Sequence, residues 1–588
     1  MAANAASGSG TGAVVAATAV AATAAAVLAT SQGGILSNGA AGDPTADDYA
    51  AARFLGQASF GANDAAIADV KQSKPAGWIK AQAAVSYSPS AFLDWWVARD
   101  AAINAADTTH KAHAHTGQFQ EAFWSAAVTG ADQLRLRMAF ALSEIFVISF
   151  QGSQITPRIG AAYYDMLRAR AFGNYRDLLE AVTLSPGMGM FLNIIGNNQA
   201  DNDPTRHPDE NYAREIMQLM SIGLFALDAS GTPNLNKPTY SHDDIAGLAK
   251  IFTGWGWYAA KPTEASFNRP TETGADVRPL IGYPNHHSQL AKSFLGVTFP
   301  AYGAWTAPSG VAKTVAAYQQ AGLKFALDTI FHHPNVGPFI GRRLIQRFVK
   351  SNPSSAYIAR VAAAFNNNGS GVRGDLLATL TAVLTDSEAT SPGTGAFAGK
   401  RREPVLRLAN WLRAFEAKSA SGNFLQPGDL NQPTALDQAP LESATVFNFF
   451  QPDYAPPGTD IATAGKVAPE FQAVDVLTAA SYANRALAVV QAGNWGNSDV
   501  TTGYAKELAL ADPTTKLVDG ARLARRLDML LCGGRMSDGL ARRIVDVVSS
   551  IAPTAKTPTA AQLAAANLDR VRSAIALTMV STDYLIQR

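Results

Sequence analysis

The chain has 588 residues, and its 48 basic and 47 acidic side chains leave a formal net charge of +1. This balance excludes a strong basic field, so it gives no support to nucleic-acid binding or to attraction by an anionic membrane surface. The one cysteine, Cys532, excludes an intramolecular disulfide, a Cys-x-x-Cys-His haem attachment and a multi-cysteine zinc site.

The N-terminal region contains an uncharged run of Ala, Val, Leu and Thr at residues 13–29. Its length suits the apolar part of an export signal better than a membrane span, and Ala29-x-Ser31 offers a small-residue cleavage site. No basic residue precedes the run, since the first one is Arg53. We interpret residues 1–44 as an export signal, with a low-complexity leader as the alternative, and residues 45–588 as a helical domain. The signal predicts a periplasmic or secreted protein.

Helical patterns dominate the rest of the chain, because alanine and leucine are abundant and strand-length alternations of Val, Thr and Tyr are scarce. The sequence therefore predicts an all-α fold with a large multi-helix body. No later segment is long and apolar enough to span a bilayer. The main predicted helices cover residues 46–61, 63–74, 132–150, 163–186 (one or two helices), 208–227, 241–254, 336–353, 354–369, 373–386 and 402–415.

Residues 258–310 interrupt the helical pattern, because they are rich in Pro, Thr, Asn and aromatic residues. We predict a long irregular excursion here, or one that includes a small hairpin. Loops of this length in compact proteins are often functional. We find no repeat of 20–50 residues, so the pattern does not indicate a solenoid.

The segment "RHPDENYAREIMQLMSIGLFAL" concentrates ionic residues at the start of the predicted helix 208–227. Pro208 suits the first helical position, and Asp209 and Glu210 suit the first turn, where the helix dipole favours anions. Helix capping does not account for Arg214 and Glu215, which follow within the next turn. These two residues therefore need another explanation.

The predicted helix "DQLRLRMAFALSEIFVISF" is apolar around its whole circumference, which is typical of a buried helix. It nevertheless contains Arg137 and Glu144, and a buried charge needs a partner on another element. We predict that Glu144 pairs with Arg214, and Arg137 with Glu215 or Glu210. One interpretation is a structural ion-pair network. The other is a carboxylate site for a metal-assisted or acid–base hydrolase, although no Glu-x-x-His motif of di-iron bundles is present.

The loop before this charged helix, "GNNQADNDPTRHPDE", spaces Asp201, Asp203 and Asp209 like the oxygen ligands of a calcium loop. It is not an EF-hand, because Arg206 and Tyr212 stand where that motif has glycine and glutamate. A looser site for Ca²⁺ or another divalent metal and a solvated Asn/Asp loop both remain as interpretations.

The motif "FTGWGWY" is the densest aromatic patch of the chain, and its glycine suggests a turn that exposes Trp255 or Trp257. Together with His286 and His287 in the irregular excursion, these residues form a candidate ligand site, with core packing as the alternative. The sequence contains no P-loop and no Gly-x-Gly-x-x-Gly after a strand, so it predicts no nucleotide cofactor.

Several motifs in order, including "AARFLGQASFG", "PDENYAREIMQLMSIGL", "IFTGWGW" and "VFNFFQPDYAPPG", resemble a bacterial family catalogued as domain of unknown function 1800. The resemblance runs from about residue 50 to the C-terminus. It implies a large, mostly exported protein and a sulfatase-like partner, but it carries no established activity.

Two classes of function therefore remain. The first is an exported protein that binds an extracellular polymer or a protein partner without catalysis. The second is the hydrolase centred on the Glu/Arg seam. A cleft that reaches Glu144, Glu210 and Glu215 would favour the hydrolase, whereas a seam closed to solvent would favour the binding protein.

Overall fold

The computed structural model describes residues 35–36, 42–201, 203, 205–391 and 393–588. The predicted export segment at residues 13–29 lies outside the described residues. Within the described ranges, no helix combines the length and apolar character needed to cross a bilayer.

Helices build most of the molecule, which confirms the predicted fold class. The α-helices are Ala46–Ala58, Asp64–Ala83, Ala91–Ala106, Thr116–Thr129, Gln133–Ser143, Pro157–Arg170, Tyr175–Thr183, Pro186–Phe191, Asn211–Gln218, His242–Ala249, Glu264–Asn268, Val315–His332, Val336–Phe348, Ser355–Asn366, Leu376–Thr385, Ser387–Thr390, Pro404–Ala414, Asp460–Thr463, Val476–Ala492, Ala505–Leu508, Gly520–Leu527, Asp538–Ser550, Ala560–Met579 and Thr582–Leu585. Short 3₁₀ segments occupy Lys250–Phe252, Ala275–Val277, Pro284–His286 and Pro469–Phe471, and a π-helical turn occupies Asp528–Cys532.

The strands of the described ranges are short and form antiparallel pairs. The pairs are Phe225–Leu227 with Pro233–Pro238, Trp255–Gly256 with Ile281–Gly282, Lys292–Phe294 with Val297–Phe299, Lys400–Arg401 with Ile586–Gln587, and Lys418–Ser419 with Val500–Thr501. Two of these pairs lie in or beside residues 258–310. The predicted excursion is thus an irregular segment that contains one short hairpin, Lys292–Phe294 with Val297–Phe299, and one short α-helix, Glu264–Asn268.

One hydrophobic core extends from Ala51 to Tyr584. The helix Gln133–Ser143 lies inside it with all 11 residues buried, as its all-round apolar pattern predicts. This helix packs against Pro157–Arg170 and Asp64–Ala83, and it also contacts Val336–Phe348. Any charge on it is therefore surrounded by protein.

Two predicted helices are shorter than expected. The helix predicted at residues 132–150 ends at Ser143, because the following "EIFVISF" is rich in β-branched and aromatic residues, which lose side-chain freedom in a helix. The helix predicted at residues 208–227 covers only Asn211–Gln218. Gly223 has a φ of +72°, which breaks the helical path, and the chain continues into the strand Phe225–Leu227.

Candidate functional site

Six ionic side chains meet in the core, and we call them the buried ionic cluster: Arg137, Glu144, Arg347, Lys400, Glu403 and Glu470. Three are cations and three are carboxylates, so their formal charges balance. All are buried. Burying charges costs several kcal/mol each unless they are paired, so the cluster depends on the contacts among its members.

Glu144 is held from two sides. Its Oε2 atom lies 3.4 Å from Nη1 of Arg347. Its Oε1 atom accepts long hydrogen bonds from the side-chain amides of Gln438 (3.5 Å) and Asn448 (3.4 Å). The Arg347 guanidinium also lies over the Phe450 ring, 4.6 Å from its centroid. The helix Val336–Phe348 therefore supplies the cation that faces Glu144.

Two cations converge on the C-terminal turn of the helix Val336–Phe348. Nη2 of Arg137 donates to the carbonyl oxygen of Arg347 at 2.6 Å, and Nζ of Lys400 donates to the same oxygen at 3.0 Å. The last carbonyls of a helix carry partial negative charge and lack partners within the helix. Arg137 and Lys400 thus satisfy one of these carbonyls inside the core.

Lys400 also connects two carboxylates. Its Nζ lies 3.0 Å from Oε1 of Glu470 and 3.5 Å from Oε1 of Glu403. Gln438 then bridges the two halves of the cluster, because its Nε2 donates to Oε2 of Glu403 at 2.9 Å as well as to Glu144. The six charges and this amide form one connected network.

The two neighbouring carboxyl groups have opposite pKa shifts. Burial raises the pKa of Glu144 well above its ordinary value, since the attraction of Arg347 does not outweigh it and the negative charge of Glu403 adds to it. Burial also acts on Glu403, but the Lys400 cation, the hydrogen bond from Glu144, and then Arg347 and Arg137 outweigh it and lower the pKa to about 2. Glu403 is therefore the more acidic member of the pair, and Glu144 is the member that takes up a proton more readily.

The predicted partners of Arg137 and Glu144 are wrong. Arg214 is 42% exposed, and its Nη2 pairs with Oε2 of Glu210 at 3.4 Å on the surface. Glu215 is buried, and burial raises its pKa against the opposing charge of Arg214. Arg347 occupies the position beside Glu144 that the sequence assigned to Arg214.

The start of this helix also differs from the prediction. Pro208 lies before the helix, and the first helical residue is Asn211. Asp209 precedes the N-cap residue Glu210, and its Oδ1 accepts a hydrogen bond from the backbone N–H of Asn211 at 2.8 Å. The first turn of the helix contains no acidic residue, so the prediction that Asp209 and Glu210 occupy it is wrong, and both residues lie just before the helix.

The three aspartates of the predicted calcium loop do not converge. Asp201 accepts hydrogen bonds from the Ser288 hydroxyl and the Gln289 backbone, both at 2.6 Å, so it ties this loop to the irregular excursion. Asp203 accepts from Thr205 within its own turn. Asp209 accepts a hydrogen bond from the backbone N–H of Asn211. Among the described residues, no group of three or more His, Cys, Asp or Glu side chains could hold a metal ion. The contacts of these aspartates therefore favour the other interpretation, a solvated Asn/Asp loop, over a calcium site.

The predicted aromatic ligand site is also corrected. Trp255 and Trp257 are both buried, and the indole N–H of Trp255 donates to the carbonyl of Ile251 at 3.2 Å. Gly256 does not open a turn, since it pairs with Ile281 in a two-residue strand whose tight contacts leave no room for a Cβ atom. The aromatic patch therefore packs in the core.

The two predicted histidines are placed differently from each other. His286 stacks on Phe267 with ring centroids 3.8 Å apart, and its Nε2 lies 3.0 Å from Glu264. His287 is buried and its Nδ1 lies 2.9 Å from the carbonyl of Thr253. Burial, with the nearby Lys292 cation, lowers the pKa of His287 to about 3, so this imidazole is neutral. His286 therefore stabilises contacts within the excursion, whereas His287 ties the excursion to Thr253.

A surface groove that the sequence did not predict lies beside the shortened helix. Its volume is about 610 Å³, and its apolar lining includes Leu224, Phe225, Leu235, Phe339 and Phe447. Leu235 is 68% exposed on the strand Pro233–Pro238, every residue of which is exposed. Such adjacent exposed apolar residues on a folded protein often mark an interaction site. We call this surface the hairpin groove.

The rim of the hairpin groove carries positive charge. Arg342 and Arg343 line it from the helix Val336–Phe348, and Nη1 of Arg343 lies 3.3 Å from Oδ1 of Asp453. The two arginines therefore exceed the one lining aspartate by one positive charge. Only the tertiary structure joins these residues, because the hairpin, the helix and the loop near residue 450 are distant in sequence.

Comparison with known proteins gives the family of the chain. The family model described as "Protein of unknown function (DUF1800)" matches residues 53–586, so the chain belongs to this family. The matched range agrees with the resemblance seen in the sequence motifs. No curated protein and no solved structure matches the chain.

Proposed function

We propose that this DUF1800 protein is an exported binding protein whose hairpin groove takes an apolar segment of a partner protein that also carries an acidic residue. The observation that carries the proposal is the contrast between two sites. The hairpin groove presents apolar side chains to solvent, whereas the carboxylates of the buried ionic cluster are enclosed by protein.

The chemistry of the groove favours a peptide segment. Leu224, Leu235 and Phe447 expose large apolar surfaces around one concavity, and burying such surfaces drives most protein association. Arg342 and Arg343 on the rim favour a carboxylate of the partner next to its apolar side chains. The sulfatase-like protein that the family resemblance implies is the first partner to test.

A polymer is less well supported than a protein. Recognition of sugar rings commonly uses exposed aromatic faces, and the predicted aromatic platform fails because Trp255 and Trp257 are buried. The hydrolase interpretation loses its support for a similar reason. A carboxylate must reach its substrate within hydrogen-bond distance, and Glu144 and Glu403 are both buried.

Peptide selection tests the groove. A phage-displayed library of random peptides, selected on the purified protein, should yield sequences that combine large apolar residues with Asp or Glu. Synthetic peptides from these sequences should bind with a Kd that rises at least about tenfold in the Leu224→Ser/Leu235→Ser variant, because truncation of apolar anchors typically costs more than about 1.4 kcal/mol. Isothermal titration calorimetry measures the change.

The matched control is Val372→Ser, which removes an exposed apolar side chain elsewhere on the surface. It should leave the Kd unchanged. Arg342→Gln should weaken the binding of acidic peptides more than that of their Asn or Gln analogues. Failure to select any peptide, or equal losses in the control and groove variants, would contradict the proposal.

Export is the second part of the proposal, and the apolar run at residues 13–29 supports it. When the full gene is expressed in a bacterial host, protein recovered from the periplasm or medium should begin near Gln32 by N-terminal sequencing. Replacing Val20 and Leu28 with Asp should keep the protein in the cytoplasm, because a signal requires an apolar core. Intact protein found only in the cytoplasm would refute export.

A further inference from the structure

One buried side chain joins two walls of the hairpin groove. The first wall contains Ile222, Phe225 and Leu227, and the second belongs to the helix Val336–Phe348, whose N-cap residue is Asn335. Asn335 is 1% exposed. Its Nδ2 donates to the carbonyl oxygens of Ile222 and Phe225, both at 2.8 Å. Its Oδ1 accepts from the backbone N–H of Leu227 at 2.9 Å. We call these three hydrogen bonds the Asn335 latch.

The Asn335 latch takes the place of a helix cap. An N-cap asparagine commonly accepts a hydrogen bond from a backbone N–H in the first turn of its helix, and Asn335 makes no such bond. Both polar groups of its side chain bind the first groove wall instead. That wall continues into the strand Pro233–Pro238, every residue of which is exposed. The position of the hairpin therefore depends on where the helix start places Asn335.

A histidine holds the backbone of Asn335. The N–H of Asn335 donates to Nδ1 of His333 at 3.2 Å, in the turn between the helices Val315–His332 and Val336–Phe348. A ring nitrogen accepts a hydrogen bond only while it carries no proton, and an imidazolium ion carries a proton on both nitrogens. The neutral form of His333 is therefore the form that supports the Asn335 latch.

Two cations act on His333 among the described residues. Nη2 of Arg373 donates to the His333 carbonyl oxygen at 3.2 Å, and Lys237 acts from the exposed strand of the hairpin. Burial, together with these two cations, lowers the pKa of His333 below its ordinary value of 6.5. The folded chain thus binds this proton less readily than the unfolded chain does. Acid below about pH 6.5 should therefore destabilise this turn.

We propose that pH controls the Asn335 latch: neutral His333 holds it closed, and protonation of His333 releases it. Loss of the acceptor on His333 lets the Asn335 backbone move, and the three bonds from its side chain then weaken together. The hairpin separates from the helix Val336–Phe348, and the groove loses its shape. The movement of the hairpin is independent of any ligand, whereas the effect on peptide binding rests on the function proposed above for the groove.

Hydrogen exchange of the full chain, measured by mass spectrometry, tests the latch. Protection factors of the segment 222–239 should fall at least about tenfold between about pH 7.5 and about pH 5, because the hydrogen bonds that hold it are lost. Protection factors are compared rather than raw rates, since pH also changes the intrinsic rate of exchange. The strand pair of Lys418–Ser419 with Val500–Thr501 is the internal control and should keep its protection.

His333→Asn separates the hydrogen bond from the charge. An asparagine side chain accepts from the backbone N–H two residues later, as Nδ1 of His333 does, but it does not titrate. This variant should keep the segment 222–239 protected at both pH values. His332→Asn is the matched control at the neighbouring, exposed histidine, and it should lose protection in acid as the parent does.

Asn335→Ala removes the latch itself. The segment 222–239 should then be poorly protected at both pH values, while circular dichroism shows a retained helical fold. The matched control Asn352→Ala removes two hydrogen bonds to the backbone of Val467, outside the groove, and should leave the segment protected. If Asn335→Ala did not fold, His333→Asn would still decide the proposal, because it keeps every bond of the latch.

Peptides selected on the groove extend the test to binding. Between about pH 7.5 and about pH 5, their Kd should rise at least about fivefold more for the parent than for His333→Asn. Acid also protonates part of the carboxylates of the peptide, but it does so equally for both proteins. The difference between the two proteins therefore measures the latch.

Two results would overturn the proposal. The first is equal protection of the segment 222–239 at both pH values in the parent. The second is a loss in His333→Asn as large as in the parent, since another group would then titrate. If the hairpin opened in acid but no peptide bound at either pH, the latch would stand and the function proposed for the groove would fail. Peptide binding with a hairpin that does not respond to pH would mean the reverse.

Discussion

Lys400→Met should destabilise the protein by about 3–5 kcal/mol, because it removes the cation between two buried carboxylates. Glu403 and Glu470 would then remain in the core without their closest positive charge. The Arg347 carbonyl would also lose one of its two donors. Urea denaturation followed by circular dichroism should show the loss as a lower midpoint.

The matched control is Lys324→Met, which removes a lysine of the same size from the surface. Lys324 is exposed and pairs with Asp328 four residues later on the same helix. An exposed pair of this kind contributes only about 0.3–0.5 kcal/mol. If Lys324→Met and Lys400→Met lowered the free energy of unfolding equally, the buried ionic cluster would not stabilise the core as the contacts indicate.

Glu403→Gln and Glu144→Gln should have unequal effects at neutral pH, although the two carboxyl groups are neighbours. Glu403→Gln should cost about 3 kcal/mol, because it removes an ionised carboxylate on which Lys400 and Arg347 depend. Glu144→Gln should cost less than about 1 kcal/mol, because burial raises the pKa of Glu144 and an amide of the same shape needs no charge in the core. Equal losses would show that both groups are ionised.

Glu403 and Glu144 should also differ in how their contributions to stability depend on pH. Folding lowers the pKa of Glu403 from 4.5 to about 2. Its contribution to the free energy of unfolding is therefore complete above about pH 4.5 and is lost as the pH falls through about 2. Folding raises the pKa of Glu144, so its contribution to the free energy of unfolding is complete below about pH 4.5 and is lost as the pH rises. Relative to the parent, Glu144→Gln should therefore gain stability as the pH rises above about 4.5.

Arg214→Met provides a further check on the corrected pairing. Since Arg214 is on the surface and contacts Glu210, its replacement should change the free energy of unfolding by less than about 0.5 kcal/mol. If Arg214→Met lowered the free energy of unfolding as much as Lys400→Met, Arg214 would have to pair with a buried charge in the core. This small expected effect is the direct consequence of the exposed position that the structure assigns to Arg214.

Local sequence patterns determined much of the helical fold. Ser241 and Asp244 form a capping box at the start of the helix predicted at residues 241–254: the Ser241 side chain accepts from the Asp244 backbone N–H, and the Asp244 carboxylate accepts from the Ser241 backbone N–H. The all-round apolar pattern around Arg137 placed that helix in the core. These features depend on residues within one or two turns of each other, so the sequence alone contains the information.

The sequence also determined the irregular character of residues 258–310, because Pro, Thr and Asn there break any helical period. It did not determine how that segment folds back. Asp201 bonds to Ser288 and Gln289, and Trp255 is buried beneath the segment, through contacts between parts of the chain that no local pattern relates. A cluster of aspartates or aromatics in the sequence is equally compatible with a ligand site and with packing.

Only the tertiary structure decided which charges pair in the core. The sequence showed that Arg137 and Glu144 need partners, since a buried charge is costly wherever it lies. The sequence contains several cations and carboxylates that could have been these partners. The pairing with Arg347 and Lys400 rather than Arg214 depends on the packing of the helix Val336–Phe348 against Gln133–Ser143. An ion pair is strong only when its two charged groups lie within a few ångströms of each other. Helix packing sets the distance between side chains that are remote in sequence, because such residues become neighbours only after the core has formed.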